Sequence, residues 1–218
     1  MSTDPVSRPA AQEKEIDDAK DDLRRAVRRR RRHNHPHPAT GHNAACRALT
    51  EHALEAVAGA RSVAAYVSVG DEPCTRLLLD ELEARGVAVL LPVLCPQLSR
   101  SWGYFRGAED LAERAPGRPP EPSGPTMDQG AVAAVDALIV PALSVDGAGR
   151  RIGQGGGWYD RMLPLRREGA VVFAAIHPEE LVPGPLPTEA HDEPVDAVIS
   201  SQAWFLLRGS PAASPTRP

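Results

Sequence analysis

The sequence is poor in the residues that mark several common protein classes. Of its 218 residues only three are cysteines, Cys46, Cys74 and Cys95, far apart and odd in number. With no Cys-x-x-Cys pair among them, they argue against a disulfide framework or a zinc site and fit a reducing cytoplasm. Aromatic residues make up 4%, so a core has to be packed by aliphatic side chains. No run approaches the roughly 20 apolar residues that span a bilayer, so no membrane partner is expected. The N-terminus is polar and has no apolar stretch of the secretory type. A formal net charge of −4 gives no global attraction to nucleic acid or anionic lipid. Internal repeats are absent.

What is there suits one folded domain. Hydrophobic residues make up 42%, enough for a sizeable core. Residues 1–12, polar and holding Pro5 and Pro9, read as a disordered leader, residues 13–207 as a single domain, and residues 208–218 as a disordered tail.

Within the domain, residues 13–32 read as a helix that opens with acids and closes with arginines, the order that suits a helix dipole. The arginine run (Arg24, Arg25, Arg28–Arg32) invites a nucleic-acid reading. The acids just upstream dilute its field, and a solvated helix end with one or two arginines turned to a ligand is the better account. His33, His35, His37 and His42, interleaved with Pro36 and Pro38, read as a surface linker rather than a metal site, since no cysteine or carboxylate completes a ligand set.

Further along, residues 42–58 form an amphipathic helix ended by Gly59, 62–69 a buried strand, 75–85 a helix closed by Gly86, and 87–92 another apolar strand. Strand, helix, strand with so long a crossover signals an α/β domain with parallel pairing. A strand over 102–106, a short helix over 108–114 and an irregular proline-rich loop over 116–125 follow. Strands over 136–141 and 170–176 flank a helix over 158–167, and 195–199 is the last strand. Ligands of such sheets gather at the carboxyl ends of the strands. Glu72 sits just beyond one, although from position alone it reads as a solvated turn acid.

The most informative stretch is 149–163. Gly149, Gly153, Gly155, Gly156 and Gly157 lie between a strand and a helix, with Arg150 and Arg151 before the cluster and Asp160 after it. The spacing is neither Gly-x-x-x-x-Gly-Lys-Ser/Thr nor Gly-x-Gly-x-x-Gly: Trp158 stands where the third glycine of a dinucleotide fingerprint belongs. Free backbone N–H groups, forked guanidinium donors and a helix N-terminus make a phosphate cradle. Asp160 beside bound phosphates would repel them unless a cation lies between, which favours Mg–nucleotide over a bare sugar phosphate.

Arg151-Ile-Gly-Gln-Gly-Gly-Gly-Trp-Tyr-Asp160 resembles, without gaps, the Arg-Leu-Gly-x-Gly-x-Gly-Tyr-Tyr-Asp signature of the 5-formyltetrahydrofolate cyclo-ligase (methenyltetrahydrofolate synthetase) family. Other pieces fall in the family's order. They are Lys20-Asp-Asp-Leu-Arg24, the strand running to Glu72-Pro-Cys-Thr75, Glu121-Pro122, Asp136–Pro141, and Pro187-Thr-Glu-Ala-His-Asp192. The resemblance covers roughly residues 14–200. Trp158 stands where the family's first tyrosine is usual, and Gln154 where a basic or aromatic residue is usual.

The resemblance implies a three-layer α/β/α sandwich with a mostly parallel sheet, of the ribose-phosphate isomerase/CoA-transferase-like kind. It implies ATP-dependent cyclisation of 5-formyltetrahydrofolate to 5,10-methenyltetrahydrofolate, with Mg²⁺, in a cytoplasmic monomer with no nucleic-acid partner. By the same resemblance Lys20, Arg24, Arg151, Gly153, Gln154, Gly155, Gly156, Gly157, Trp158 and Tyr159 would hold ATP. Asp160 and Asp192 would hold Mg²⁺, with Arg151 and Asp160 the catalytic pair. Val67, Glu72, Gln154, Gly155, Gly156, Gly157 and Trp158 would line the folate site, Glu72 hydrogen-bonding the pterin.

Overall fold

The computed structural model describes residues 7–35, 41–94, 99–114, 118–208, 210 and 212, with side chains from Glu13 onward. In chain order the helices are α1 (Ser7–Asn34), α2 (Ala44–Ala56), α3 (Arg76–Ala84) and α4 (Trp158–Met162). The strands are β1 (Ser62–Ala64), β2 (Ala88–Leu94), β3 (Arg100–Tyr104), β4 (Leu111–Ala112), β5 (Glu121–Pro122), β6 (Thr126–Met127), β7 (Ala137–Pro141), β8 (Ser144–Asp146), β9 (Arg151–Ile152), β10 (Val171–Ala175), β11 (Leu181–Val182), β12 (Ala197–Ile199) and β13 (Trp204–Leu206).

Eight strands form the main sheet in the order β13-β12-β10-β7-β1-β2-β3-β6. Its five central strands, β12, β10, β7, β1 and β2, are parallel, and antiparallel strands close both edges. Side-chain alternation makes the layers. In β7, Ala137 and Ile139 face one core while Leu138 and Val140 face the other; in β10, Phe173 and Ala175 oppose Val172 and Ala174 in the same way. The first face packs against Leu49 and Ala53 of α2 and Leu78, Leu79 and Leu82 of α3, and the second against Met162 and Leu163. This is the expected α/β/α arrangement with a mostly parallel sheet. No helix among the described residues is long and apolar enough to cross a membrane.

Several expectations are corrected. Helix α1 starts at Ser7, inside the stretch read as a leader; residues 1–6 lie outside the described residues. At the other end, β13 follows the strand read as the last, and the Ser210 hydroxyl donates to Asp196 Oδ1 (2.8 Å), inside the stretch read as a tail. The helix after the glycine loop stops at Met162 and continues as a 3-10 turn over Leu163–Leu165, where Pro164 cannot supply an N–H to an α-helical ladder.

Two corrections concern cysteine and histidine. Cys46 and Cys74 are joined in a disulfide, with Cα atoms 5.2 Å apart, where the sequence argued against one. The histidine stretch is more than a surface linker. His35 stacks on His177 (ring centroids 3.6 Å apart) and its Nε2 meets Glu179 Oε1 at 2.6 Å. His37 lies outside the described residues.

A small three-stranded sheet, β11-β8-β9, lies beside the main one and carries Arg151. Gly149 sits in its β8–β9 connection at φ 84°, where a side chain would collide with the Val195 carbonyl. Its role is to let two backbones meet, which sets it apart from the glycines further on.

Helix α1 packs over this small sheet. Leu23 and Val27 meet Leu143, Ile152 and Leu186. Arg31 is 3% exposed and pairs with Glu180, itself 0% exposed, through two hydrogen bonds of 2.6 and 2.7 Å; a third, of 2.6 Å, goes to the Ala142 carbonyl. Breaking a buried pair from one side leaves an uncompensated charge. Arg31→Met is therefore expected to cost about 3–5 kcal/mol of unfolding free energy in urea titrations, and adding Glu180→Leu to recover part of it. A single-variant loss below about 1 kcal/mol would show that this pair does not anchor α1.

Candidate active site

The site begins with one face of α1. Lys20, Arg24, Arg28 and Arg31 are spaced four, four and three apart, which sets them on one side of the helix. All four turn inward. Lys20 Nζ pairs with Glu189 Oε2 (2.6 Å) and Asp192 Oδ2 (2.5 Å). Arg24 Nε donates to the Gly153 carbonyl (3.1 Å), and Arg28 Nη2 to the carbonyl and Oε1 of Gln154 (both 2.9 Å). So Arg24, Arg28 and Arg31 reach other elements of the protein, while Arg25, Arg29 and Arg32 stay exposed, Arg25 pairing with Asp22 on the same helix.

Between α1 and the glycine loop lies a cleft of about 330 Å³. It is lined by Lys20, Arg24, Arg151, Gly153, Gln154, Gly155, Gly156, Gly157, Trp158, Tyr159, Asp160 and Asp192, all singled out in the sequence, together with Asp17, Glu189 and His191. Arg151 projects from β9, and its Nη2 meets Asp160 Oδ1 at 2.5 Å. Its Nε is buried without a hydrogen-bond partner among the described residues. A Cβ on Gly153 would lie 2.8 Å from Arg151 Nη1, so glycine lets that guanidinium lie flat against the loop. Gly155 (φ 99°) and Gly157 (φ 58°) take left-handed conformations, and Gly157 opens α4.

The acids of this cleft are already compensated. Burial works against ionisation of Asp192, but the Glu189 N–H (2.8 Å) and the Lys20 ammonium hold it below the ordinary aspartate value. Burial likewise disfavours the Lys20 ammonium, yet Asp192 and Glu189 outweigh it and hold the lysine above its ordinary value. Ligand atoms of Glu189, His191 and Asp192 lie within 4.8 Å of one another. Asp160 is tied to the same loop by a 3.4 Å hydrogen bond from the Glu193 N–H. The carboxylate oxygens of Asp160, Glu189 and Asp192 are the donor type that Mg²⁺ takes.

A second cavity, about 570 Å³, opens past the carboxyl ends of β1 and β7. Val67, Glu72, Gln154 and Trp158 line it, as the sequence reading has them, with Tyr66, Leu143, Glu121 and Tyr159. Glu72 accepts from the Val69 N–H (3.0 Å) and from Gln154 Nε2 (2.9 Å). Burial pushes its carboxyl above the ordinary glutamate value despite those bonds. Burial also raises the Tyr66 and Tyr159 hydroxyls, which stay neutral at physiological pH. The Trp158 indole meets Trp102 edge-on at 6.1 Å and lies under the Arg100 guanidinium at 5.7 Å. Its Nε1 is buried without a hydrogen-bond partner among the described residues. Pro141, Gln154, Trp158 and Tyr159 line both cavities, so one wall serves the two.

Sequence reasoning missed Arg28, Arg31 with Glu180, Glu189, and the wall residues Tyr66 and Glu121. Extending the four-residue step from Lys20 and Arg24 finds Arg28. Glu189 carries no signal apart from standing three residues before Asp192.

Sheet and clefts together define an α/β protein in which two cavities meet at a glycine loop beyond the carboxyl ends of parallel strands. The sequence pattern of the 5-formyltetrahydrofolate cyclo-ligase family matches residues 16–201, and the chain belongs to that family. Among curated relatives, the 5-formyltetrahydrofolate cyclo-ligase of Mycolicibacterium smegmatis is 36% identical over 151 residues, 67% of this chain and 76% of the relative. That of Escherichia coli K12 is 33% identical over 169 residues, 75% and 90% of the two chains. Among solved structures, the NMR structure of Aquifex aeolicus 5,10-methenyltetrahydrofolate synthetase has the same fold (TM-score 0.66, 23% identity, covering 91% of this chain and 97% of that one).

The pairing of Lys20 with Asp192 has a pH signature. Its stabilisation is complete above the ordinary aspartate range and is lost as pH falls through the depressed folded value. Lys20→Met is expected to lower the unfolding free energy by about 2 kcal/mol at pH 7, part of the cost of a fully buried pair because the cleft admits water. That difference should shrink as the pH of the urea titrations falls below about 4. A deficit that does not change with acidification would mean lost packing rather than lost charge.

Proposed function

We propose that this chain catalyses the ATP-dependent cyclisation of 5-formyltetrahydrofolate to 5,10-methenyltetrahydrofolate, releasing ADP and phosphate. The observation that carries the reading is the shared wall. A nucleotide in the cleft of Lys20, Arg24 and Arg151 and a reduced folate against Glu72 would meet at Gln154, Trp158 and Tyr159.

The chemistry fits such a meeting. The formamide oxygen is a poor leaving group, and transfer of the γ-phosphoryl of ATP to it makes it a good one. The N10 amine then attacks the activated formyl carbon. The N10–C bond forms, the N10 proton is lost, and the C–O bond to phosphate breaks, which leaves the methenyl bridge. In phosphoryl transfer the protein mainly positions groups and stabilises charge. Lys20 and Arg151 exchange their carboxylate partners for phosphate oxygens, and Arg24 and the N–H groups of the glycine loop hold the rest of the chain of phosphates. Asp160, Asp192 and Glu189, freed by that exchange, would hold Mg²⁺, which neutralises phosphate charge when bound. Glu72 accepts from the N–H edge of the pterin, with Val67 and Trp158 walling the ring. The described residues of one chain line both cavities, which suits a monomer, and the proposed place of action is the cytoplasm.

Mixing the protein with 5-formyltetrahydrofolate and Mg–ATP should raise the near-ultraviolet absorbance of the methenyl product. Folded protein that gives no rise refutes the reading. Asp160→Asn is expected to raise the Mg²⁺ concentration for half-maximal rate on the order of tenfold. Its affinity for 5-formyltetrahydrofolate should be unchanged by calorimetry, and an unaltered Mg²⁺ requirement would remove Asp160 from the metal.

Glu72 gives a pH prediction. Its raised folded value means that the accepting carboxylate is present above that value and lost as pH falls through it. The KM for 5-formyltetrahydrofolate should therefore rise on acidification before ordinary carboxylates titrate. In Glu72→Gln the KM should be about tenfold higher at pH 7 and lack that acid limb. An acid limb that survives the substitution would assign it to another group.

A further inference from the structure

A third cavity, about 390 Å³, lies apart from the glycine loop and shares only Glu72 with the folate-side cavity. His42, Cys46 and Cys74 line it. His42 Nδ1 stands 3.3 Å from Cys46 Sγ and 3.6 Å from Cys74 Sγ. Nothing in the proposed reaction uses these three residues.

We propose that, with the Cys46–Cys74 disulfide reduced, His42, Cys46 and Cys74 form a binding site for a thiophilic divalent cation, zinc being the best match. Tetrahedral zinc with ordinary Zn–N and Zn–S bonds separates imidazole nitrogen from thiolate sulfur by about 3.5 Å. Both nitrogen–sulfur separations already have that value. Only the two sulfurs have to part, to about 3.8 Å, for the same geometry. Two thiolates and an imidazole select zinc over Mg²⁺, which takes oxygen. Three protein ligands leave a fourth position open to water from the cavity.

The chain positions these ligands for the task. His42 and Cys46 are four residues apart at the start of α2. Asn43 caps that helix by accepting the Cys46 N–H at 2.8 Å, which fixes Cys46 in the first turn. There the unpaired N–H groups and the helix dipole favour thiolate over thiol. Cys74 arrives from the segment between Glu72 and α3, where the Thr75 hydroxyl donates to the Tyr66 carbonyl at 2.6 Å and its N–H donates to Ser68 Oγ at 3.0 Å. The cation would thus replace a covalent tie between α2 and the Glu72 segment with a coordinate one.

A trialkylphosphine reductant delivers two electrons to the S–S bond and becomes the phosphine oxide, taking oxygen from water. The two protons of that water go to the sulfurs, and binding of the cation releases both to solvent.

The test is Co²⁺ titration of the full chain, reduced with phosphine and followed by absorbance. One equivalent should give thiolate-to-cobalt charge-transfer bands with tetrahedral d–d bands, and Zn²⁺ should abolish them. Cys74→Ser, Cys46→Ser and His42→Ala, each checked for folding by circular dichroism, should weaken Co²⁺ binding roughly a hundredfold. Glu189→Gln should leave the spectrum intact. The oxidised wild-type chain is a control that needs no substitution, and it should show no charge-transfer band. The proposal is overturned if the reduced chain binds no Co²⁺, if bound Co²⁺ shows no thiolate band, or if the band persists in the oxidised chain or in Cys74→Ser.

Discussion

The structure depends on how four cations of one helix are held by the second half of the chain, two by carboxylates and two by neutral oxygens. Taking an ammonium or guanidinium out of water costs several kcal/mol unless a partner of good geometry takes the place of solvent. Along α1 each cation has one. Arg31 has the carboxylate of Glu180, Lys20 has Asp192 and Glu189, and Arg24 and Arg28 have the backbone or side chain of the glycine loop. The hydrophobic part of the contact, Leu23 and Val27 against Leu143, Ile152 and Leu186, is small. Charge pairing therefore sets the register of α1, and through it the shape of the cleft. An apolar helix could slide along such a surface; a row of ion pairs and charged hydrogen bonds cannot without leaving charges bare.

The same pairing would let the proposed nucleotide cleft stay folded before its ligand arrives. Arg151 leans on Asp160 and Lys20 on Asp192, so cations and acids of the cleft neutralise each other. On the proposed reading, Mg–nucleotide would bring both signs of charge at once and would swap two internal pairs for two external ones. A bare phosphate would strand the acids, and a bare cation would strand Lys20 and Arg151. That favours the complex over either part.

Much of this was legible in the sequence. The buried strands around residues 137–141 and 171–175 are continuous apolar runs, as parallel strands covered on both faces must be. The loop from Arg151 to Asp160 carries its chemistry in consecutive residues, so spacing alone excluded the Walker and dinucleotide patterns. The illegible parts have physical reasons. Strands β8, β9 and β11 hold two or three residues each, too few for any periodicity to register. Cys46 and Cys74 are 28 residues apart, and only the crossing of α2 over the start of α3 brings them together. Arg31 looked like one more residue of a basic run because Glu180 lies 149 residues away. Its burial is a tertiary fact with no local trace.

The contact between Lys20 and Asp192 closes a loop of 172 residues. Contacts so distant along the chain form late, because the entropy of closing the loop must be met before the contact returns anything. The main sheet can pair through its crossovers while α1 is still undocked. A chain emerging from the ribosome holds the glycine loop before it holds Asp192. The cleft therefore takes its full shape only after Asp192 has joined Lys20, and a fragment ending before residue 189 lacks the acids and the histidine that form one of its sides.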